Sequence, residues 1–250
     1  METGQLRERL GAALVGAQTP LAAADRLCEA CVELLDVDGA SVSLIRDGGT
    51  QGTFGSSGDT SRALDELQFT YGQGPCLDAV SSGRPVIAED LDSPAEDRWP
   101  ALTEAVLGHG VRAMFALPVT VASTAIGALD LYRNRSGPLD GQALTGGLWA
   151  AGLASLPLLD LMHGDTDWQA ASEGAGAFDQ LASLERVEVY QATGMLVSAF
   201  DIGAADAVAR LRAHAVSNSL TASDVAYRVL DGRILLADGE LRPADSGRRR

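Results

Sequence analysis

The chain has 250 residues, of which 46% are hydrophobic and 21% charged, enough apolar material for one core of ordinary size or two smaller ones. All 19 basic residues are Arg, set against 34 acids. The net charge of −15 excludes bulk, sequence-blind adhesion to nucleic acid or anionic membrane, while leaving room for a local site.

Three cysteines, Cys28, Cys31 and Cys76, are too few for a disulfide scaffold. The opening residues, Met1-Glu-Thr-Gly-Gln-Leu-Arg-Glu-Arg9, put acid ahead of the apolar run, unlike a secretion signal, so a cytoplasmic location is expected. Gln142 to Leu159 is uncharged, but its Gly146, Gly147, Gly152, Ser155 and Pro157 suit a buried helix or a dimer seam better than a membrane span. No membrane association is expected.

In chain order, Thr19-Pro20 supplies an N-cap and a first-turn proline. Leu21, Ala24, Leu27, Cys28, Cys31, Leu34 and Leu35 then follow at helical spacing. Residues 40–46 and 50–56 read as a hairpin about Asp47-Gly48-Gly49. A short helix over 60–68, the loop Tyr71-Gly-Gln-Gly-Pro75, a helix over 76–82, a strand at 85–88 and a helix over 98–108 come next. Val111, Ala113, Phe115, Leu117 and Val119 alternate along one strand, and Ile126, Ala128, Asp130 and Tyr132 along the next. An Ala/Leu helix over 140–163 closes an α+β sensor-type domain, with strand order left open.

Residues 164–177 lack periodicity and read as a linker. The charge changes there as well: residues 1–177 carry 10 Arg and 24 acids, residues 178–250 carry 9 Arg and 10 acids. Helices are expected over 178–200, 204–217 and 221–230, the last opened by a capping box in Thr221-Ala-Ser-Asp224. A disordered tail is expected over 233–250.

The first half carries Phe69-Thr-Tyr-Gly-Gln-Gly-Pro-Cys-Leu-Asp-Ala79, Ser82-Gly-Arg-Pro-Val86, Asp90-Leu91, Arg98-Trp99-Pro100, Gly110-Val-Arg-Ala113, Leu117-Pro118 and Ile126-Gly-Ala-Leu-Asp-Leu-Tyr132. In this order and spacing these resemble a GAF domain, over roughly residues 20–162. The resemblance implies a GAF-like antiparallel sheet flanked by helices, covering residues 20–163, with a small-molecule site or a dimer contact. The Gly-rich loop suits ligand approach beside an apolar wall, which singles out Tyr71, Gly74, Cys76 and Phe115. The Asn-Lys-rich signature of cyclic-nucleotide GAF domains and the Cys-His context of bilin attachment are absent, so the ligand and any cofactor stay unnamed.

The second half carries Ser183-Leu-Glu-Arg-Val-Glu-Val-Tyr-Gln-Ala-Thr-Gly-Met-Leu196, Ala204-Ala-Asp-Ala-Val-Ala-Arg-Leu-Arg-Ala-His-Ala215 and Asp224-Val-Ala226. These are similar to an ANTAR domain, over residues 178–232. GAF followed by ANTAR is a pairing found in actinobacterial regulators. The resemblance implies a small all-α three-helix module that dimerises through its first helix, binds paired RNA hairpins and antiterminates transcription. Single-stranded loops present bases to aromatic and Arg planes. Residues suited to that contact are Arg186, Tyr190, Gln191, Thr193, Gly194, Arg210, Arg212, His214 and Asn218, with Arg186, Arg210 and Arg212 expected on one exposed face. Ala192, Gly194, Met195 and Leu196 suit helix packing equally well. Thr193 stands where the family often has Lys, which leaves phosphate neutralisation to a few Arg.

Cys28 and Cys31 fall within a helical apolar face, where packing is the simpler reading than metal or redox chemistry. Cys76 near a helix start is open to a redox role as well as to packing. No metal site and no catalytic motif is recognised, so the chain is expected not to be an enzyme. The other reading is a small-molecule or redox sensor, or a scaffold, whose helical half only dimerises or binds a protein.

Overall fold

The computed structural model describes residues 3–46, 49–164, 186–237 and 239–244. The chain divides into two compact units, one of residues 1–69 and 73–185 and one of residues 186–250 together with Thr70–Gly72. The linker expected over 164–177 lies, beyond Gly164, outside the described residues, as do the first turns of the helix expected from 178 and the hairpin turn at Asp47-Gly48.

The first unit is built on a five-stranded antiparallel sheet in the order β2-β1-β5-β4-β3. The strands are β1 (Gly39–Arg46), β2 (Gly49–Ser56), β3 (Val86–Ala88), β4 (Ala113–Val121) and β5 (Thr124–Arg133). The helices are α1 (Thr3–Leu14), α2 (Pro20–Leu34), α3 (Asp59–Tyr71), α4 (Pro75–Ser82), α5 (Pro100–Gly108) and α6 (Gly141–Gly164). As expected, Thr19 caps α2, its hydroxyl accepting from the Ala22 N–H at 3.1 Å, with Pro20 in the first turn.

The two-residue period of the strands separates two chemistries. Ala40, Val42, Phe115, Leu117, Val119, Leu129 and Leu131 join one buried apolar cluster with Leu6 and Leu10 of α1, Leu27, Cys28 and Cys31 of α2, and Ala150, Ala154 and Leu158 of α6. Each fully buried Leu or Phe in such a layer stabilises the fold by about 1.5–3 kcal/mol. α6 comes close because Gly146 and Gly147 leave out side chains; a Cβ on Gly147 would sit 2.6 Å from a Leu117 methyl. The uncharged run is thus a core helix, and no single helix among the described residues is long and apolar enough to cross a membrane. The opposite face carries Ser41, Ser43, Ala128 and Asp130, in register with Ala116 of β4. On that side Cys76 of α4 packs with Ile45 and Ala128.

One helix adds to the expected elements and one expectation is corrected. α1 lies ahead of the first expected helix, with Leu6 and Leu10 fully buried, and packs on α2 and α6. Within the stretch expected as a disordered tail, β6 (Ile234–Ala237) and β7 (Glu240–Pro243) form a two-stranded hairpin, with Ile234 buried.

The second unit holds α7 (Val187–Phe200), α8 (Ala204–Ser217), α9 (Ala222–Leu230) and this hairpin. Val189, Ala192 and Leu196 of α7 are buried with Ala207, Leu211 and Ala215 of α8 and Val225, Ala226 and Val229 of α9. The anticipated capping box opens α9: Thr221 Oγ1 accepts from the Asp224 N–H at 3.0 Å, and Asp224 Oδ2 accepts from the Thr221 N–H at 3.1 Å.

Candidate functional site

In the first unit the expected ligand residues Gly74, Cys76 and Phe115 do not converge. Gly74 and Cys76 lie at the start of α4; Tyr71, the last residue of α3, falls in the second unit and is half-buried. Phe115 points to the other face of the sheet, into the apolar cluster under α2 and α6, with the Arg133 guanidinium 5.9 Å from its ring. The odd-numbered residues of β4 face that cluster, so alternation itself takes Phe115 away from α4.

What gathers on the α3/α4 side is a set of buried polar groups that the motifs do not single out. Asp65 of α3 accepts from the hydroxyls of Ser43 on β1 and of Thr53 on β2, the latter at 2.6 Å. Gln68, one turn along α3, donates Nε2 to Asp130 Oδ2 on β5 at 2.7 Å and accepts the Cys76 N–H on Oε1 at 3.0 Å. α4 has no side-chain N-cap of its own; Gln68 supplies an acceptor for its first turn from a distance. Gly74 is needed there, because at φ +146° with Gln68 Oε1 only 2.5 Å from a notional Cβ no other residue fits.

Among the described residues Asp130 Oδ1 is buried without a hydrogen-bond partner. Burial, partly offset by the Gln68 bond and reinforced by the charge of Asp65, raises the Asp130 carboxyl from 3.8 to about 7. Cys28 and Cys31 are buried in the apolar core, and burial pushes the Cys31 thiol up to about 12, far from a reactive thiolate. Cys76 is fully buried as well.

In the second unit α7 turns a mixed face outward. Tyr190, Gln191, Gly194, Met195 and Ser198 are exposed at helical spacing, and Gln191, Gly194, Met195, Ser198 and Leu236 line an open groove of about 560 Å³. The four positions that suited packing or contact therefore divide: Ala192 and Leu196 are core, whereas Gly194 and Met195 are surface. Thr193 is a correction. It is buried, and its hydroxyl donates to the Val189 carbonyl one turn back at 2.6 Å, so it offers nothing to an external partner.

The arginines also depart from expectation. Leu211 is a core residue of α8, and at about 100° per residue Arg210 and Arg212 fall on opposite flanks of it. Arg210 donates to the Gly239 carbonyl at 2.6 Å and lies 5.3 Å from the Phe200 ring. Arg212 is half-buried; burial, then the charge of Arg186, lowers its pKa. Arg186 and Arg212 are thus neighbours, and Arg210 is not part of the same face. Arg210 instead begins a stripe with His214 and Asn218 at successive four-residue steps. Among the described residues, no group of three or more His, Cys, Asp or Glu is placed to hold a metal ion.

An antiparallel five-stranded sheet with helices on both faces and a polar cluster beneath its middle helices defines an α+β domain of the sensor type. A sequence profile of the GAF domain matches residues 17–146, just over half of the chain, and the chain belongs to the GAF domain family. Among solved structures it is similar to the GAF domain of an Acinetobacter phosphoenolpyruvate-protein phosphotransferase, at 12% identity over 66% of this chain and 99% of that one, with a TM-score of 0.51. It is also similar to the corresponding domain from Coxiella burnetii, at 16% identity over 65% and 96% of the two chains and a TM-score of 0.48. A third likeness is to the free methionine-R-sulfoxide reductase of Neisseria meningitidis, at 15% identity over 62% and 85% and a TM-score of 0.44. Among curated protein sequences none matches.

Proposed function

We propose that the chain is a cytoplasmic, homodimeric, non-catalytic transcription regulator. Its GAF domain senses a signal, and its helical unit is an ANTAR-like module that binds RNA hairpins and antiterminates transcription. The observation that carries this reading is how the ANTAR-like motif divides between inside and outside. Its apolar positions Val189, Ala192, Leu196, Leu211 and Ala215 make the core, while Tyr190, Gln191, Gly194, Arg210 and Asn218 stay exposed and His214 half-buried. An aromatic plane, amide donors and cations left outside a small bundle are the groups that bind splayed bases and their phosphates. On the GAF side, the start of α4 and its Gln68 link are the place where a small-molecule signal would act.

The test is binding of the full-length protein to an RNA carrying two hairpins. Tyr190→Ala and His214→Ala are each expected to weaken binding at least tenfold. Absence of binding by the unmodified protein would sink the reading. A second reading, a scaffold whose helical unit only associates, is favoured by the outward Val187, Tyr190 and Met195 of α7. It predicts a dimer, measured by light scattering, that Met195→Glu dissociates without any RNA affinity to lose.

A further inference from the structure

The C-terminal turns of α8 and α9 and the start of β6 enclose a cleft of about 220 Å³, below the roughly 300–1,000 Å³ of pockets that take drug-sized ligands. His214 and Asn218 line it from α8, Arg228 from α9 and Arg233 from the turn before β6, with Leu220 and Ile234 as apolar walls. Among the described residues no carboxylate lines it. Arg233 is paired with Asp231, whereas Arg228 makes no hydrogen bond or ion pair among the described residues. Its five N–H donors are therefore unspent in a half-buried position.

A cation in the last turn of a helix ordinarily complements the dipole and its free carbonyls. That accounts poorly for this group, since Arg228 donates to no carbonyl and two more cationic or ionisable side chains face the same space. Burial, then the charge of Arg228, holds the His214 imidazole below its usual range.

We propose that this cleft is a phosphate-binding site, with Arg228 and Arg233 as its cations, the Asn218 amide and His214 at its rim, and one RNA backbone phosphate as its occupant. Assigning the phosphate to RNA rests on the function proposed above; the phosphate chemistry itself does not. Its size suits one tetrahedral anion with part of a sugar. A planar guanidinium facing it offers paired donors to two phosphate oxygens. Neither Arg228 nor Arg233 belongs to the ANTAR-like motif positions, and the site draws on the hairpin that follows the three helices.

The test uses the full-length protein in two arms. In the first, inorganic phosphate is titrated while the His214 ring resonances are followed by NMR, with Arg228→Met and Arg228→Gln beside the unmodified chain. Saturable movement of the His214 signals that either variant weakens about tenfold or more is expected. In the second arm the same proteins bind the two-hairpin RNA across a salt series. Each variant is expected to lose about tenfold in affinity and to flatten the slope of log K against log salt by about 0.7, the share of one phosphate in a single strand. RNA binding with an unchanged slope in both variants would overturn the proposal and leave the RNA function standing. Phosphate binding without RNA binding would uphold the site, transfer it to a free phosphorylated ligand and overturn the RNA function. Unmoved His214 signals in a protein that binds RNA equally well without Arg228 would remove the site altogether. Thermal melts keep a folding defect apart, and none is expected because Arg228 is tied to no other side chain.

Discussion

Replacing Asp130 by Asn tests whether the polar cluster under α3 and α4 holds a carboxyl that strains the fold when ionised. Asp130 is buried on β5, one oxygen accepting from Gln68 and the other unpartnered, with its carboxyl raised from 3.8 to about 7. A raised acid is protonated more readily in the folded chain than in the unfolded one, so folding takes up a proton between the two values. Its contribution is most favourable below about pH 4, declines as pH rises from about 4 to 7, and is level above that. A shift of about three units at roughly 1.4 kcal/mol each makes ionised Asp130 cost the fold about 4 kcal/mol above pH 7. Asn keeps the shape and the acceptor for Gln68 without ionising. Urea denaturation between pH 5 and 8.5 is expected to give a variant more stable than the unmodified protein at pH 8, with the difference shrinking toward pH 5. Parallel stability curves, or a variant less stable at pH 8, would refute the reasoning.

Three further outcomes are expected. Gly74→Ala puts a Cβ against Gln68 and Leu102 at a φ of +146°, and should lower stability by about 2 kcal/mol or more in chemical denaturation. Ala122 and Ser123, at φ 47° and 69°, make the β4–β5 turn with left-handed backbone, so Ala122→Asn with Ser123→Gly should raise the melting temperature by the equivalent of about 1 kcal/mol. Gly194→Ala meets nothing within 4 Å and should stabilise α7 by up to about 1 kcal/mol, while weakening RNA binding if the backbone there is approached closely.

The local grammar of this chain is easy to read and its long-range pairing is not. Thr19-Pro20 and Thr221-Ala-Ser-Asp224 act through contacts within four residues, and both caps form. The alternation through Phe115 and Leu117 assigns a face because side-chain direction is a property of the strand alone. Strand order is different, because β5 enters between β1 and β4 through a register that depends on residues some ninety positions away. Two further features are legible in the sequence. Leu6, Leu10 and Leu14 keep a four-residue step through α1, and the Asp238-Gly239 dipeptide between Ile234-Leu-Leu-Ala237 and Glu240-Leu-Arg-Pro243 is a hairpin signal.

The site shows where residue-type reasoning stops. Arg186, Arg210 and Arg212 look alike in a motif, yet two residues on an α-helix are about 200° apart, so Arg210 and Arg212 were bound to diverge once Leu211 took the core. The same geometry makes Arg210, His214 and Asn218 one stripe. That stripe leads to Arg228 and Arg233, which no helical period links to it, because they arrive by the turn of α9 and the hairpin beyond. Asp130 is the parallel case in the GAF domain. Its inward position between Ala128 and Tyr132 was visible as a polar residue in an alternating face, but its partner Gln68 lies 62 residues earlier on another element. In both units, chemistry-bearing groups become a site only where elements meet, and the strained member is the one whose hydrogen-bonding capacity the fold leaves unspent: an acceptor on Asp130, the guanidinium donors on Arg228.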